Sequence, residues 1–93
     1  MTVASARHIL VDTEKACQDL KTQIASGTDF AELAGKFSRC PSGREGGDLG
    51  EFQPGQMVPE FDRVVFSAPV GVVQGPVKTQ FGWHLLEVTS RTE

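Results

Sequence analysis

A glycine-rich segment near the middle of the chain limits the possible folds more than any other feature. It reads CPSGREGGDLGEF over residues 40–52, and GQMVPEF follows at residues 55–61. Because glycine has no side chain and adopts left-handed backbone angles freely, this segment is expected to form a loop between regular elements. Such a loop can bring a thiol and a carboxylate close to the apolar residues that follow. The segment therefore indicates a binding site for a small molecule or a peptide.

The composition is that of one globular domain. A chain of 93 residues with 39% hydrophobic content can build a modest core, and we predict a single domain over residues 1–93. A net charge of −3 disfavours contacts with nucleic-acid phosphates, so no nucleic-acid partner is expected. No apolar run approaches the roughly 20 residues that cross a bilayer, and residues 1–7 lack the pattern of a signal peptide. We therefore expect no membrane partner.

The few cysteines and histidines do not form a metal-binding pattern. The spacing of His8, Cys17, Cys40 and His84 matches none of the usual zinc sites, so we expect no metal and no cofactor. A disulfide stays open from the sequence alone, but two thiols in a reducing compartment fit better and predict a cytoplasmic protein. Nothing in the sequence indicates an obligate partner, so a monomer is expected.

Local signals predict a strand followed by two helices in the first part of the chain. Alternating apolar residues place the strand at residues 3–11. Thr13 is a typical N-cap for a helix that ends at residue 25. Asp29 and Glu32 have capping-box spacing and open a second helix. The apolar face of that second helix is predicted to contain Phe30, Leu33, Ala34 and Phe37.

The rest of the chain predicts a loop, a strand, a helix and a hairpin. The predicted positions are the loop at 39–48, the strand at 49–52, a helix from Pro59 to residue 67, and strands at 77–79 and 83–89. Pro59 suits a first helical turn, whereas Pro69 blocks continuation of the helix. The order β-α-α-β-α-β-β predicts an α+β domain, with a four-stranded, mainly antiparallel sheet and three to four helices packed around it.

Several short motifs occur in one order along nearly the whole chain. They are ARHILV at 6–11, FSRCPS at 37–42, GGDLG at 46–50, GQM at 55–57 and TQFGWHLL at 79–86. Together they resemble the parvulin family of peptidyl-prolyl cis/trans isomerases, most closely its minimal free-standing bacterial members. The resemblance implies the FKBP-like β-α3-β-α-β2 fold of that family. It also implies rotation about X-Pro bonds in unfolded or partly folded chains, with proline-containing peptides as partners.

The resemblance implies a proline pocket formed by apolar side chains. It assigns Met57 and Phe61 to the pocket and places Leu49 at its side, although the residues alone would favour ordinary core positions. Phe52 and Phe81 either flank the substrate or pack internally. Gln56 belongs to the same motif and is included among the expected substrate-binding residues.

The polar residues of the motifs are implied to lie beneath and beside the substrate amide. In the family, His8 and His84 stand on neighbouring central strands and form a hydrogen bond, and Thr79 extends that network. The alternative is a pair of satisfied core histidines. Cys40 is expected to face the amide as a polarity-tuning group. Asp48 either modulates Cys40 and His8 or caps its own glycine-rich turn.

Two departures from this function remain as alternatives. A chaperone-like module would hold proline-containing segments with little turnover, and a cysteine hydrolase would cleave its substrate through Cys40.

Phosphate-directed parvulins carry a long basic loop after the first strand, whereas this chain has only Asp12-Thr13-Glu14 there. We therefore expect no preference for phosphorylated substrates.

Overall fold

The boundaries of most helices and strands follow from the local signals. A computed structural model of the protein describes residues 2–92. Its elements are β1 (Val3–Val11), α1 (Glu14–Ala25), α2 (Phe30–Phe37), a short 3-10 helix (Pro41–Glu45), β2 (Asp48–Phe52), α3 (Pro59–Val65), β3 (Val73–Thr79) and β4 (Gly82–Thr92). The predicted α+β class and the element order are confirmed, and the glycine-rich loop contains the additional 3-10 turn.

Side-chain caps begin the first two helices where the sequence predicts them. The Thr13 hydroxyl accepts a hydrogen bond from the Ala16 amide at 3.1 Å. The Asp29 carboxylate accepts one from the Glu32 amide, also at 3.1 Å. Each cap satisfies an amide that has no partner within its own helix.

The four strands form one antiparallel sheet in the order β2-β1-β4-β3. The first and last strands are therefore central neighbours, as the family resemblance implies. Leu10 pairs with His84 across this central ladder, and His8 pairs with Leu86. Because side chains alternate between faces, His8 and His84 lie diagonally on the same face of the sheet.

Helices cover both faces of the sheet, and each face has its own hydrophobic cluster. Ile9, Val11 and Leu85 pack with the buried side chains of α1 and α2. On the other face, Leu86 and Val88 pack with Phe61 and Val65 of α3. The adjacent residues Leu85 and Leu86 thus serve opposite clusters, which explains why β4 has two consecutive apolar residues instead of a strict alternation of apolar and polar ones. Among residues 2–92, no helix is long and apolar enough to span a membrane.

Three boundaries differ from the sequence prediction by two residues or more. Helix α3 ends at Val65 rather than at residue 67, β3 begins at Val73 rather than at 77, and β4 extends to Thr92 rather than to 89. The early part of β3 contains glycine and proline, which disfavour strands locally, yet Val73 pairs with Glu87 of β4. Pairing with a long neighbouring strand therefore overrides the weak local propensity.

One predicted core residue, Phe37, lies at the surface, and the two cysteines are not joined. Phe37 was expected on the buried face of α2, but it is 51% exposed. This prediction is wrong because Phe37 occupies the last helical position, at the edge of an open groove. Cys17 is buried in α1, Cys40 is partly buried, and both are free thiols.

Candidate active site

A cavity of about 340 Å³ opens on the α3 face of the sheet. Its walls are predominantly apolar and come from the central strands, the glycine-rich loop, β2, α3 and the last hairpin. The lining residues are His8, Leu10, Arg39, Cys40, Pro41, Leu49, Met57, Val58, Phe61, Phe81 and His84. Segments that are distant in sequence therefore meet at one site, which only the folded chain can form.

Two buried histidines form part of this wall. The Nδ1 atoms of His8 and His84 lie 3.0 Å apart, and their rings stack with an interplanar angle of 16°. The Nε2 atom of His84 lies 2.7 Å from the Thr79 hydroxyl, which also accepts a hydrogen bond from the Phe81 amide. A continuous network therefore runs from the hairpin turn through Thr79 to both imidazoles.

Counting donors and acceptors favours one arrangement of protons in this network. If the Thr79 hydroxyl donates to His84 Nε2, then His84 donates from Nδ1 to His8 and only His8 Nε2 lacks a partner. The reverse arrangement leaves both the hydroxyl proton and His8 Nε2 without partners. Because buried polar groups without partners are costly, we assign the first arrangement.

Burial keeps both imidazoles neutral near pH 7. It lowers the pKa of His8 to about 4, and repulsion from a charged His84 is the smaller cause. Burial also lowers the pKa of His84. A proton on either ring would lie in an apolar environment without a balancing carboxylate in the hydrogen-bond network. Since His8 Nε2 is also inaccessible to solvent, the pair suits positioning rather than proton transfer.

Phe61 connects the histidine pair to the cavity. Its ring stands edge-on to His8, with 5.6 Å between centroids, and edge-on to His84, with 5.8 Å. Phe61 lies in α3 and is 3% exposed, so its position is set by the rings beneath it. Met57 precedes α3 instead of lying on it, and Met57 and Leu49 form neighbouring walls.

The thiol at the rim is held by its own loop. Cys40 precedes the 3-10 helix, and its Sγ accepts a hydrogen bond from the Ser42 hydroxyl at 3.3 Å. Within residues 2–92, Cys40 makes no hydrogen bond to a histidine. A thiol nucleophile needs such a base nearby, so this geometry does not favour the cysteine hydrolase.

Four residues that the sequence placed at the site lie outside the cavity lining: Asp48, Phe52, Gln56 and Thr79. Asp48 is exposed, and its carboxylate accepts a hydrogen bond from the Gly50 amide at 2.9 Å. Gln56 is exposed and accepts one from the Gln53 amide. Phe52 is buried against Phe61 on the core side. Thr79 also lies behind the wall but contacts His84, whereas the 62% exposed Phe81 stands at the mouth.

Sequence reasoning missed four lining residues: Leu10, Arg39, Pro41 and Val58. Leu10 could have been found, because strand alternation places it on the same face as His8. Pro41 and Val58 adjoin residues that the motifs single out. Arg39 lies in the motif FSRCPS, but nothing local indicates that it lines the cavity, because its place follows from a backbone hydrogen bond from its amide to Leu10 and an ion pair with Asp12.

The glycine-rich loop is anchored directly on the histidine strand. The His8 amide donates to the Gly47 carbonyl at 2.9 Å. A Cβ atom at Gly47 would come within 2.3 Å of the His8 carbonyl oxygen, and its φ of +86° is left-handed. Only glycine fits there, so the loop can approach β1 closely enough to close one side of the cavity.

A cavity of this size and polarity accepts a small apolar ring, and its open mouth leaves room for peptide on both sides. The fold and the site therefore define an α+β domain whose apolar cavity has room for a proline ring. Among residues 2–92, no three His, Cys, Asp or Glu side chains converge where a metal ion could bind.

Comparisons with known proteins give the family. A family model described as "Rotamase: PPIC-type PPIASE domain" matches residues 5–90. The foldase protein PrsA of Geobacillus sp. (strain WCH70) is 47% identical over 89 residues, which cover 95% of this chain and 32% of that protein. The parvulin-like PPIase of Rickettsia bellii (strain RML369-C) is 46% identical over 88 residues, covering 90% and 31%. The chain thus spans about a third of the length of these curated relatives.

Solved structures agree with the family. The crystal structure of peptidylprolyl isomerase PrsA from Bacillus anthracis has a TM-score of 0.96 and 33% identity, covering 99% of this chain and 43% of that one. The solution structure of NmPin, the parvulin of Nitrosopumilus maritimus, has a TM-score of 0.87 and 31% identity, covering 97% and 98%. This chain belongs to the PPIC-type (parvulin) family of peptidyl-prolyl cis/trans isomerases, which confirms the predicted family, fold and enzyme class.

Proposed function

We propose that this domain catalyses cis/trans rotation about X-Pro bonds in unfolded or partly folded chains, without covalent chemistry and without a need for phosphorylation. The observation that carries the proposal is the apolar cavity of about 340 Å³ whose wall contains the buried His8–His84 pair. The family membership supports it, as do relatives named foldase and chaperone, which imply unfolded protein clients.

The geometry suits a rotation that breaks no bond. Rotation about the amide faces a barrier near ~20 kcal/mol, because resonance is lost in the twisted state. Water stabilises the planar amide, whose carbonyl carries more charge, so an apolar cavity disfavours the ground state relative to the twisted one. Met57 and Phe61 would hold the proline ring, and the neutral histidine pair would keep Phe61 fixed. Each ~1.4 kcal/mol of selective stabilisation gives a tenfold faster rotation.

The test is an exchange measurement that sees rotation itself. NMR exchange spectroscopy on an unphosphorylated Leu-Pro tetrapeptide gives the rate with and without catalytic amounts of protein. We expect acceleration by the wild-type protein and a loss of about tenfold in Met57→Ala, since a large part of the pocket wall is removed. Val70→Ala is the matched control, because Val70 is exposed and does not line the cavity.

The lack of a phosphate preference is proposed from the short β1–α1 connection. Strand β1 ends at Val11 and α1 begins at Glu14, so this connection is too short for a basic loop. The connection itself consists of Asp12 and Thr13, and neither residue is a cation that could bind a phosphate. We expect the protein to catalyse cis/trans exchange of a phosphoserine-proline peptide no faster than that of the same peptide with glutamine in place of phosphoserine. A clear advantage for the phosphorylated peptide would refute this part.

The second candidate is a binding module with little turnover. One relative, Chaperone SurA of Legionella pneumophila (strain Lens), is 41% identical over 103 residues, which cover 100% of this chain and 24% of that protein. The same NMR experiment separates the two functions, because peptide shifts without faster exchange would indicate binding alone. A cleaved product would instead indicate a hydrolase.

We also propose that the domain acts as a monomer, since one chain supplies every residue that lines the cavity. A concentration-independent sedimentation coefficient is the expected result.

The cytoplasmic compartment stays a prediction that rests on Cys17 and Cys40, and cell fractionation tests it.

A further inference from the structure

A second cavity lies on the opposite face of β1 from the proline cavity. It has a volume of about 500 Å³ and opens between α1, the end of α2 and the end of β1. Its apolar floor includes Val11, Ala16 and Leu20, and Phe37 stands at its edge. Since Leu10 lines the proline cavity and Val11 lines this one, strand alternation places the two on opposite faces. We call this second cavity the α1–α2 groove.

Exposed apolar side chains border both cavities. Within residues 2–92, the large apolar side chains with high exposure are Phe37, Val70, Val72 and Phe81. Phe81 stands at the mouth of the proline cavity, and Phe37 stands at the edge of the α1–α2 groove. A half-exposed aromatic ring over an apolar floor leaves surface that a ligand can cover.

The two cavities adjoin each other at one short segment of the protein. Arg39 lies in the wall of both cavities, and its amide donates to the Leu10 carbonyl at 2.8 Å. Phe37 borders the groove, and Cys40 borders the proline cavity. The protein's own backbone therefore passes from one site to the other in a span of roughly 10 Å when extended. A bound chain that follows this path needs a similar number of residues.

We propose that a client chain held by its proline continues along Phe37–Cys40 and inserts an apolar side chain into the α1–α2 groove. The occupant is a residue of the same client, such as leucine or phenylalanine, roughly three to six residues away from the proline. The inference rests on the proposed function, because the proline cavity supplies the first anchor. It extends that function by giving the enzyme a second requirement on its substrate.

Two linked anchors would favour long unfolded chains over short peptides. Once the proline is bound, the second side chain is present at a high effective concentration near its groove. A tetrapeptide is too short to reach the groove and therefore reports on the proline cavity alone. The groove thus selects apolar stretches that a folded client would bury, without adding specificity at the rotating bond itself.

The test uses 12-residue peptides that contain one proline and one leucine in a Gly/Ser background. The leucine is placed one, four or nine residues from the proline, and a fourth peptide has serine at the four-residue position. We expect the 12-residue peptide with leucine four residues from proline to bind about tenfold more tightly than its serine counterpart, because one apolar side chain is removed from water at some ordering cost. Only that peptide should shift the amide resonances of Ala16 and Leu20 strongly.

Matched variants then locate the effect. The kcat/KM of the 12-residue peptide with leucine four residues from proline is compared with that of the Leu-Pro tetrapeptide. The ratio of the two should fall about tenfold in Phe37→Ser, since the edge of the groove is lost. The same ratio should be retained in Val72→Ser, because Val72 has similar exposure but borders neither cavity. The amide shifts in the wild-type protein require no variant, so a folding defect in Phe37→Ser would leave the result intact.

Several outcomes overturn the inference. Equal affinity for all leucine positions, or equal ratios in the two variants, would show that the groove does not bind the client. If the amide resonance of Ala16 shifts without any peptide, and the shift grows with protein concentration, a second copy of this chain occupies the groove. If the wild-type protein fails to accelerate even the tetrapeptide, the proposed function fails, whereas the shifts of Ala16 and Leu20 still decide the groove.

Discussion

At the scale of single residues, the site depends on two histidines that are buried without charge. Their ring nitrogens pair with each other, and Thr79 satisfies one of the two that remain. Phe61 then packs edge-on against both rings and presents its other side to the cavity. The apolar wall is therefore positioned by a polar network beneath it, and disturbing that network should affect stability and catalysis together.

Stability should fall as the pH is lowered from 7 to 5. The pKa of His8 is lowered from 6.5 to about 4 in the fold, while the unfolded chain keeps the ordinary value. The unfolded state therefore takes up a proton below pH 6.5 and the folded state does not, until the pH approaches 4. His8 alone accounts for a loss of about 2 kcal/mol by pH 5. The lowered pKa of His84 acts in the same direction.

Urea unfolding at pH 7 and pH 5 measures this loss. Isolated carboxylates titrate mostly below this window, so the two histidines dominate the change. An NMR titration of the imidazoles in the folded protein is the independent check. A urea midpoint that stays constant, or imidazoles that titrate near pH 6.5, would contradict the assignment of a neutral pair.

Thr79→Val should weaken the histidine network without changing the shape of the residue much. His84 Nε2 and the Phe81 amide both lose their partner, which should cost about 1–3 kcal/mol of unfolding free energy. The isomerase rate should fall as well, because His84 no longer has a fixed ring orientation. Thr79→Ser keeps the hydroxyl and is the control, and it should retain most of both properties. Identical stabilities for the two variants would refute the role of the hydroxyl.

At the scale of elements, one glycine in the loop determines how closely the loop approaches β1. Gly47 and Gly50 both have left-handed backbone angles, with φ of +86° and +72°. Only Gly47 faces a neighbour: the added Cβ would meet the His8 carbonyl at 2.3 Å, whereas Gly50 has nothing within 4 Å. The two positions therefore separate backbone strain from steric contact.

Gly50→Ala should cost about 1 kcal/mol, from the left-handed angle alone. Gly47→Ala should cost roughly 3 kcal/mol or more, because the backbone of β1 or of the loop must also move. Urea unfolding gives both values, and the isomerase rate shows whether the loop wall of the cavity has shifted. Equal losses for the two variants would mean that the close approach to His8 does not constrain the loop.

At the scale of the whole molecule, the two faces of the sheet are tied together by the long last strand. Strand β4 supplies residues to both hydrophobic clusters, and its end reaches α3. Arg91 donates from Nη1 to the Val65 carbonyl at 2.9 Å and to the Ala68 carbonyl at 2.7 Å. The Val65 carbonyl lies at the carboxyl end of α3, where a cation is favourable, and Ala68 follows shortly after the helix. The helix that carries Phe61 is thus fastened by a residue that lies 26 positions after Val65 in the sequence.

Arg91→Met should lower the unfolding free energy by about 1–3 kcal/mol, because two carbonyls lose a charged donor. Arg63→Met is the control, since Arg63 is exposed on α3 itself. Thermal unfolding compares the two, and the exchange rate of the tetrapeptide shows whether α3 has moved. If both variants lose the same stability, the link between β4 and α3 contributes nothing measurable.

Local sequence signals determined the elements, while pairing with distant strands determined their full extent. Caps at Thr13 and Asp29 act within one helical turn, so the starts of α1 and α2 could be predicted. The early part of β3 becomes a strand because it pairs with Leu86 and Glu87 in the middle of β4, and the end of β4 becomes a strand because it pairs with β1. Such pairing depends on register across the sheet, which no short window contains.

The residues of the candidate site also divide into those that the sequence predicts and those that only the fold places there. The motifs identified His8, Cys40, Leu49, Met57, Phe61, Phe81 and His84, all of which line the cavity. They could not separate these from Asp48, Gln56 and Phe52, because the direction of a side chain in a loop follows from the folded backbone. Arg39 and the groove beside Phe37 were invisible for the same reason. The sequence by itself therefore determined the family and its chemistry, and the tertiary structure decided which side chains share a cavity, because sharing one is a property of distances across the sheet.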